Sequence, residues 1–322
     1  EVLSDMLARS TFPPQELERE RGVILEEIKM VNDTPSDLVG DLFLARAFPG
    51  HPLGRPIQGT DKTVSGVTRG QVRRHYLSMM RPENLVVTAT GDTSLQEVLA
   101  QVAPTLGRLQ PGAPSREKAP RFKPDVELFA KDHLEQAQLI VSFPAQSAAG
   151  PGRYVLMVLA NLLGGTMSSR LFTEIREKLG LVYSISAEHA GYRDAGIFGV
   201  QAAASHATVA KTLKETLKVL SDVAHRGITP QELEIAKDNL LGGAILSMES
   251  ASSRMGRLAR NELYFGRQWP TREALSGIQK VTAKALVAQA RDLFRPENAL
   301  VAVMGHQSAL KGLDLGVLEG KA

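Results

Sequence analysis

The sequence predicts an α+β protein of two homologous repeats, each an antiparallel-rich sheet with helices on one face, the first repeat incomplete. Three observations carry this. PQELE occurs at 14–18 and again at 230–234, inside a longer set of recurring landmarks. VLSD stands at 2–5 and 219–222, and RPEN at 81–84 and 295–298. Each RPEN leads into an apolar run that ends in Gly, LVVTATG and ALVAVMG. The offsets lie between 214 and 217 residues, and four landmarks in one order at a near-constant offset mark an internal duplication. The second observation is that strand-like runs and helical periodicity mix without strict β-α alternation. The third is the stretch 108–124, RLQPGAPSREKAPRFKP, whose four prolines and few apolar residues predict an extended, mobile linker. The expected organisation is a first repeat over 1–107, a linker over 108–124 and a second repeat over 125–322.

The repeats are unequal. In the second, residues 125–218 precede VLSD, whereas only Glu1 precedes it in the first. The chain is therefore expected to open inside its first repeat, with about ninety residues lacking if the copies were of similar length.

Composition narrows the function. The 322 residues are 43% hydrophobic, enough to fill sizeable cores in two domains. With 38 basic and 35 acidic residues and no long run of one sign, neither a nucleic-acid nor a membrane partner is expected. There is no cysteine, which excludes disulfides, thiolate metal sites and thiol nucleophiles.

Taken in order, residues 1–9 read as the end of a helix. Pro14 suits the first turn of the next, because its missing N–H has no partner to lose there. Leu17, Ile24 and Ile28 give that helix, 14–31, a buried stripe. Asn32 to Ser36 is a break, followed by a helix over 36–47. FPGHPLGRPIQGT, 48–60, is a loop. A helix over 68–80 leads to a predicted strand at 85–90, and Asp92-Thr93-Ser94 caps a helix expected to end before Pro104. The second repeat opens with strands at 125–131 and 137–143 and an apolar helix at 152–163. A Gly turn, a helix from Ser168 to Lys178, two strands and a helix over 207–226 follow. Thr229 and Glu232 form a capping box for the helix starting at Pro230.

Chemistry is carried by few residues. Glu20 and Glu27 lie seven apart on the acidic helix and so share nearly one face. At the repeat offset Glu20 corresponds to Ala236, and Glu26 and Glu27 to Gly242 and Gly243, so the scaffold is duplicated but these acids are not. A solvated face is the ordinary explanation for helical Glu; its loss in the second copy favours a site. The seven histidines include no pair three to five residues apart, so no local zinc pair exists. Arg176 and Tyr183 flank Gly180 in REKLGLVY. A helix-end Arg and a Tyr on the following strand can face one cleft, the Arg to hold a carboxylate or carbonyl, the Tyr to donate to a developing oxyanion. A surface Arg and a half-buried Tyr fit the sequence as well. Arg170 reads as structural.

SSRLFTEIREKLGLVYS followed by YRDAGIFG resembles the C-terminal half of the pitrilysin/insulinase metallopeptidases, including the processing peptidases. ELERERGVILEEI is similar to the segment of their first half that carries a distal zinc-binding Glu, and HPLGRPIQGT and RPENLVV are similar to further stretches. The resemblance covers nearly the whole chain. It implies duplicated α+β domains facing each other across a chamber, a zinc-dependent endopeptidase, and a homodimer or a heterodimer with a related subunit. It implies that Glu27 is a zinc ligand, that Glu20 supports a zinc-binding His, and that Arg176 and Tyr183 meet a bound peptide substrate. In such enzymes H-x-x-E-H supplies two His ligands and the general base. That motif is nowhere in these residues, and the resemblance puts it upstream of Glu27. Two readings follow: an active zinc peptidase whose motif segment lies outside this sequence, or a non-catalytic subunit that partners an active one. The residues as given are expected to bind no tight zinc, because one carboxylate cannot replace the usual three protein ligands.

Overall fold

A computed structural model describes residues 1–113 and 117–316. Its helices ahead of the first strand are α1 (Val2–Ala8), α2 (Pro14–Asp33), α3 (Pro35–Ala47), α4 (Asp61–Gly66), α5 (Arg69–Met79) and α6 (Leu95–Leu106). Then come β1 (Asp125–Ala130), β2 (Ala137–Ala145), α7 (Arg153–Ala160), β3 (Val182–Gly191) and β4 (Gly196–Ala204). The chain continues with α8 (Val209–Arg226), α9 (Pro230–Ser247), α10 (Ala251–Phe265), α11 (Thr271–Gln279), α12 (Ala283–Leu293), β5 (Leu300–Gly305) and α13 (Gln307–Lys311). Two π-helical segments, Asn161–Gly165 and Phe172–Lys178, lie between α7 and β3.

The repeat visible in the sequence recurs in the order of elements. PQELE opens both α2 and α9, and RPEN makes a 3-10 turn in both copies, at Pro82–Asn84 and Pro296–Asn298. α3 starts at Pro35 and α10 at Ala251, the same 216 residues apart as the two PQELE helices.

Two compact units result, one of residues 1–33, 56–118 and 247–268, the other of 34–55, 119–246 and 269–322. Each takes segments from both sides of the Pro-rich stretch. Residues 114–116 of that stretch lie outside the described residues. Its far end is anchored: the Lys123 N–H donates to Ala47 O at 2.9 Å, and the Phe122 ring meets Phe48 edge-on at 6.1 Å.

The second unit holds a five-stranded sheet in the order β1-β5-β2-β4-β3, parallel between β1 and β5 and antiparallel elsewhere. Alternate residues face opposite sides. Leu139, Val141 and Phe143 point with Phe198 and Val200 into the larger core, which α7, α8 and α12 close. Ile140, Leu300, Ala302 and Met304 face the other way, against Val39, Phe43, Ala47 and Phe48 of the α3 segment. Helices thus cover one face, and α3 covers part of the second. With both sides packed, β2 and β5 read as continuous apolar runs rather than alternating ones.

The first unit contains α1, α2, α4, α5, α6 and α10 and no strand among its described residues. The strand expected at 85–90 is not formed. A ladder needs a neighbouring strand to take its N–H and C=O groups, and this unit presents none. The Thr90 and Thr88 hydroxyls donate instead to Ala251 O at 2.9 Å and Met255 O at 3.4 Å. Pro104 falls inside α6 rather than after it, close enough to the helix end that few main-chain bonds are lost. Ile28 is the only buried apolar side chain among this unit's described residues; Val2, Leu3, Met6 and Leu95 are all more than 60% exposed.

Candidate active site

Arg176 and Tyr183 are brought together, and the chain between them explains how. The helix that carries Arg176 is wound as a π-segment from Phe172 to Lys178. Gly180 then adopts φ +60, the left-handed conformation that stops a helix and that other residues enter at a cost. Its N–H donates to Arg176 O at 3.1 Å, and the next N–H, of Leu181, donates to Ile175 O at 3.1 Å. The chain reverses directly into β3. There the register with β4 slips: Val182 pairs with Ala204 and Ser184 with Ala203, leaving Tyr183 as the extra residue of a β-bulge. A bulge re-aims its side chain. Tyr183 is 75% exposed, and its ring centroid is 5.5 Å from the Arg176 guanidinium carbon.

The π-segments are held close to β3. A Cβ on Gly164 would come within 2.1 Å of Ala187 N, so only glycine permits the approach. Arg170 clamps the same stretch from the other side. It donates to Glu232 through Nε and Nη2, the latter at 2.9 Å, and to Gly227 O at 2.8 Å. Glu232 also accepts from the Thr229 N–H and hydroxyl as the expected capping box. These bonds, that to Arg170 foremost, lower its pKa to about 2 despite partial burial. Arg170 is structural, as expected.

Glu20 and Glu27 both lie exposed on α2, and neither makes a hydrogen bond or ion pair among the described residues. Their neighbours differ. Glu16, Glu18 and Glu26 are each paired with the basic residue three positions on: Arg19, Arg21 and Lys29. Glu20 also lines a groove of about 550 Å³ with Phe12, Leu17, Ile24 and Val64. No group of three or more His, Asp or Glu that could hold a metal ion exists among the described residues. Glu27 offers one carboxylate and the described residues do not complete a set around it.

Phe172 is a member of the arrangement that the sequence did not single out. Its ring centroid lies 4.6 Å from the Arg176 guanidinium carbon. The four-residue spacing on a helix was the available signal.

Comparison with known proteins identifies the family. A profile described as the peptidase M16 inactive domain matches residues 66–240, and one described as insulinase (peptidase family M16) matches residues 1–61. A protein of Streptomyces coelicolor named an uncharacterized zinc protease is 36% identical over 320 residues, covering 96% of this chain and 70% of that one. The uncharacterized zinc protease YmxG of Bacillus subtilis is 34% identical over 307 residues, covering 94% and 74%. Among solved structures, a peptidase M16 inactive domain from Pseudomonas fluorescens superposes with a TM-score of 0.82 at 20% identity, over 94% of this chain and 74% of that one. A protease from Helicobacter pylori gives 0.85 at 20% identity, over 94% and 75%. A chain of complex III2 from Candida albicans gives 0.86 at 18%, over 98% and 76%. With one family profile matching residues 66–240, more than half of the chain, a second matching residues 1–61, and relatives above 30% identity spanned over most of their length, this chain belongs to the peptidase M16 (insulinase) family.

Proposed function

We propose that the protein is a zinc-dependent endopeptidase acting on peptides or unfolded segments, with Glu27 as a zinc ligand and Glu20 supporting the metal site. The observation that carries this reading is that Glu20 and Glu27 on α2 have no partner among the described residues and are replaced in the second repeat, by Ala236 and Gly243. Glu16 and Glu18, which the second repeat keeps as Glu232 and Glu234, are paired at i+3; Glu26, replaced by Gly242, is paired with Lys29. An unpaired carboxylate keeps its lone pairs for a cation. Relatives named zinc proteases support the same chemistry. The further ligands that this reading requires are not among the described residues.

Zinc, when bound in such a site, polarises a carbonyl and lowers the pKa of its water. The groups of this chain would do the rest. Arg176 would direct its N–H donors to a carbonyl or carboxylate of the peptide. The Tyr183 hydroxyl would donate to the oxyanion that develops on the attacked carbonyl. An extended peptide held by main-chain hydrogen bonds along a sheet edge would be bound with little regard for side chains. Pairing with a second copy or a related subunit belongs to the same proposal.

A second reading, a non-catalytic subunit that supports an active peptidase, is favoured by one observation: residues 66–240 match the profile described as the peptidase M16 inactive domain. Zinc content and hydrolysis of a quenched fluorescent peptide, measured on the complete gene product, separate the two. One bound zinc and turnover that Glu27→Gln abolishes support the peptidase. A metal-free protein without turnover, alone or with a related subunit, would leave the supporting role.

A further inference from the structure

We infer that Phe172 is a positioning residue for Arg176, an inference that rests on the peptide-binding role proposed for Arg176 above. Arg176 is half-buried, yet its guanidinium makes no hydrogen bond or ion pair among the described residues. Arg170, one and a half helical turns earlier, has three such bonds. What Arg176 has instead is two rings. Its guanidinium carbon lies over Phe172 at 4.6 Å and over Tyr183 at 5.5 Å, so Phe172 is the nearer support.

A cation over a ring is held by the quadrupole of that ring, and its N–H donors stay available. An ion pair would fix the guanidinium as firmly but would occupy those donors. Held this way, Arg176 is oriented beforehand and still able to form a two-pronged bond with a carboxylate or to reach a carbonyl. The local backbone serves the contact. Phe172 opens the π-segment and Arg176 lies four residues on, so both project on nearly one side. Phe172 is absent from the buried core around it, and filling that core is not its role.

The test uses the complete gene product, a fluorescent peptide substrate and four proteins: Phe172→Leu, Phe172→Tyr, Arg176→Ala and the Phe172→Leu/Arg176→Ala double variant. Phe172→Leu keeps an apolar side chain and removes the ring face. It should raise KM about 3- to 10-fold with kcat little changed, from the strength of a partly exposed cation–π contact. Phe172→Tyr should restore KM, and Phe172→Leu should add nothing in the Arg176→Ala background. Independently of turnover, the Arg176 Nε–H resonance in selectively ¹⁵N-arginine-labelled protein should carry a ring-current shift that Phe172→Leu reduces to the part due to Tyr183 and Phe172→Tyr retains. An unshifted resonance in the parent protein, or an equal effect of Phe172→Leu with and without Arg176, overturns the inference. If Arg176→Ala lowers kcat/KM while Phe172→Leu does not, this inference alone fails. If Arg176→Ala changes neither binding nor turnover, the proposed role of Arg176 fails first.

Discussion

Glu232 takes both prongs of Arg170 while capping its own helix through Thr229, so one carboxylate joins the π-helical stretch before β3 to the start of α9. Its folded pKa of about 2 lies below the ordinary 4.5. A depressed carboxylate contributes stability that is present above pH 4.5 and is lost as pH falls through the folded value. Because the group is partly exposed, solvent screening reduces the effect to about 1–2 kcal/mol. Urea midpoints from pH 6 to pH 2.5 should fall more steeply for the parent protein than for Glu232→Gln. Parallel curves would mean that the ion pair contributes nothing net.

Tyr183→Phe keeps the ring beside Arg176 and removes one donor. If that hydroxyl acts mainly in the transition state, kcat should fall by about 100-fold with little change in KM. Steady-state kinetics on the complete gene product decide it. Near-normal turnover would leave Tyr183 as the second ring of the Arg176 cradle and no more.

Glu27→Gln should lower zinc stoichiometry and remove activity with it, and Glu20→Gln should weaken zinc binding less. Neither side chain has a partner to lose among the described residues, so the urea midpoint of the metal-free protein should be unchanged. Full zinc occupancy in Glu27→Gln would remove Glu27 from the site.

Gly164→Ala should destabilise the protein by about 1–3 kcal/mol, because the new methyl meets backbone of β3 rather than a side chain that can turn aside. Gly180→Ala has open space but a positive φ, and should cost about 1–2 kcal/mol. The two differ in a second readout. Gly180→Ala strains the turn that returns Tyr183 to Arg176, and should reduce kcat more than its stability loss explains.

Much of this was legible in the sequence, for physical reasons that can be named. Repeated landmarks located corresponding helices because PQELE and RPEN are boundary signals, a helix start and a turn, which act locally. The Arg176–Tyr183 pair was legible because Gly180 announces a reversal between them. The strand at 85–90 was not, since its apolar alternation describes a preference and a strand exists only with a partner. The bulge at Tyr183 and the π-winding at Phe172 left no pattern to read; both are set by how β3 and β4 align and how closely Gly164 lets the helix approach. That Glu20 and Glu27 lack partners while Glu16, Glu18 and Glu26 have them depended on side-chain pairing, which spacing suggests for many acids and assigns to none.

The membership of α3 and α10 has a consequence for heredity. The α3 segment is encoded before the Pro-rich stretch, yet Val39, Phe43, Ala47 and Phe48 are sealed, each at most 6% exposed, in the unit built mainly from residues behind it. The corresponding helix of the later repeat, α10, joins the earlier unit. A gene that shed either copy would keep a helix with nowhere to bury itself and lose the one its sheet or helices require. The doubling is thereby locked: single positions can diverge between the copies, as Glu20 and Glu27 do from Ala236 and Gly243, while each unit keeps needing a helix from the other copy.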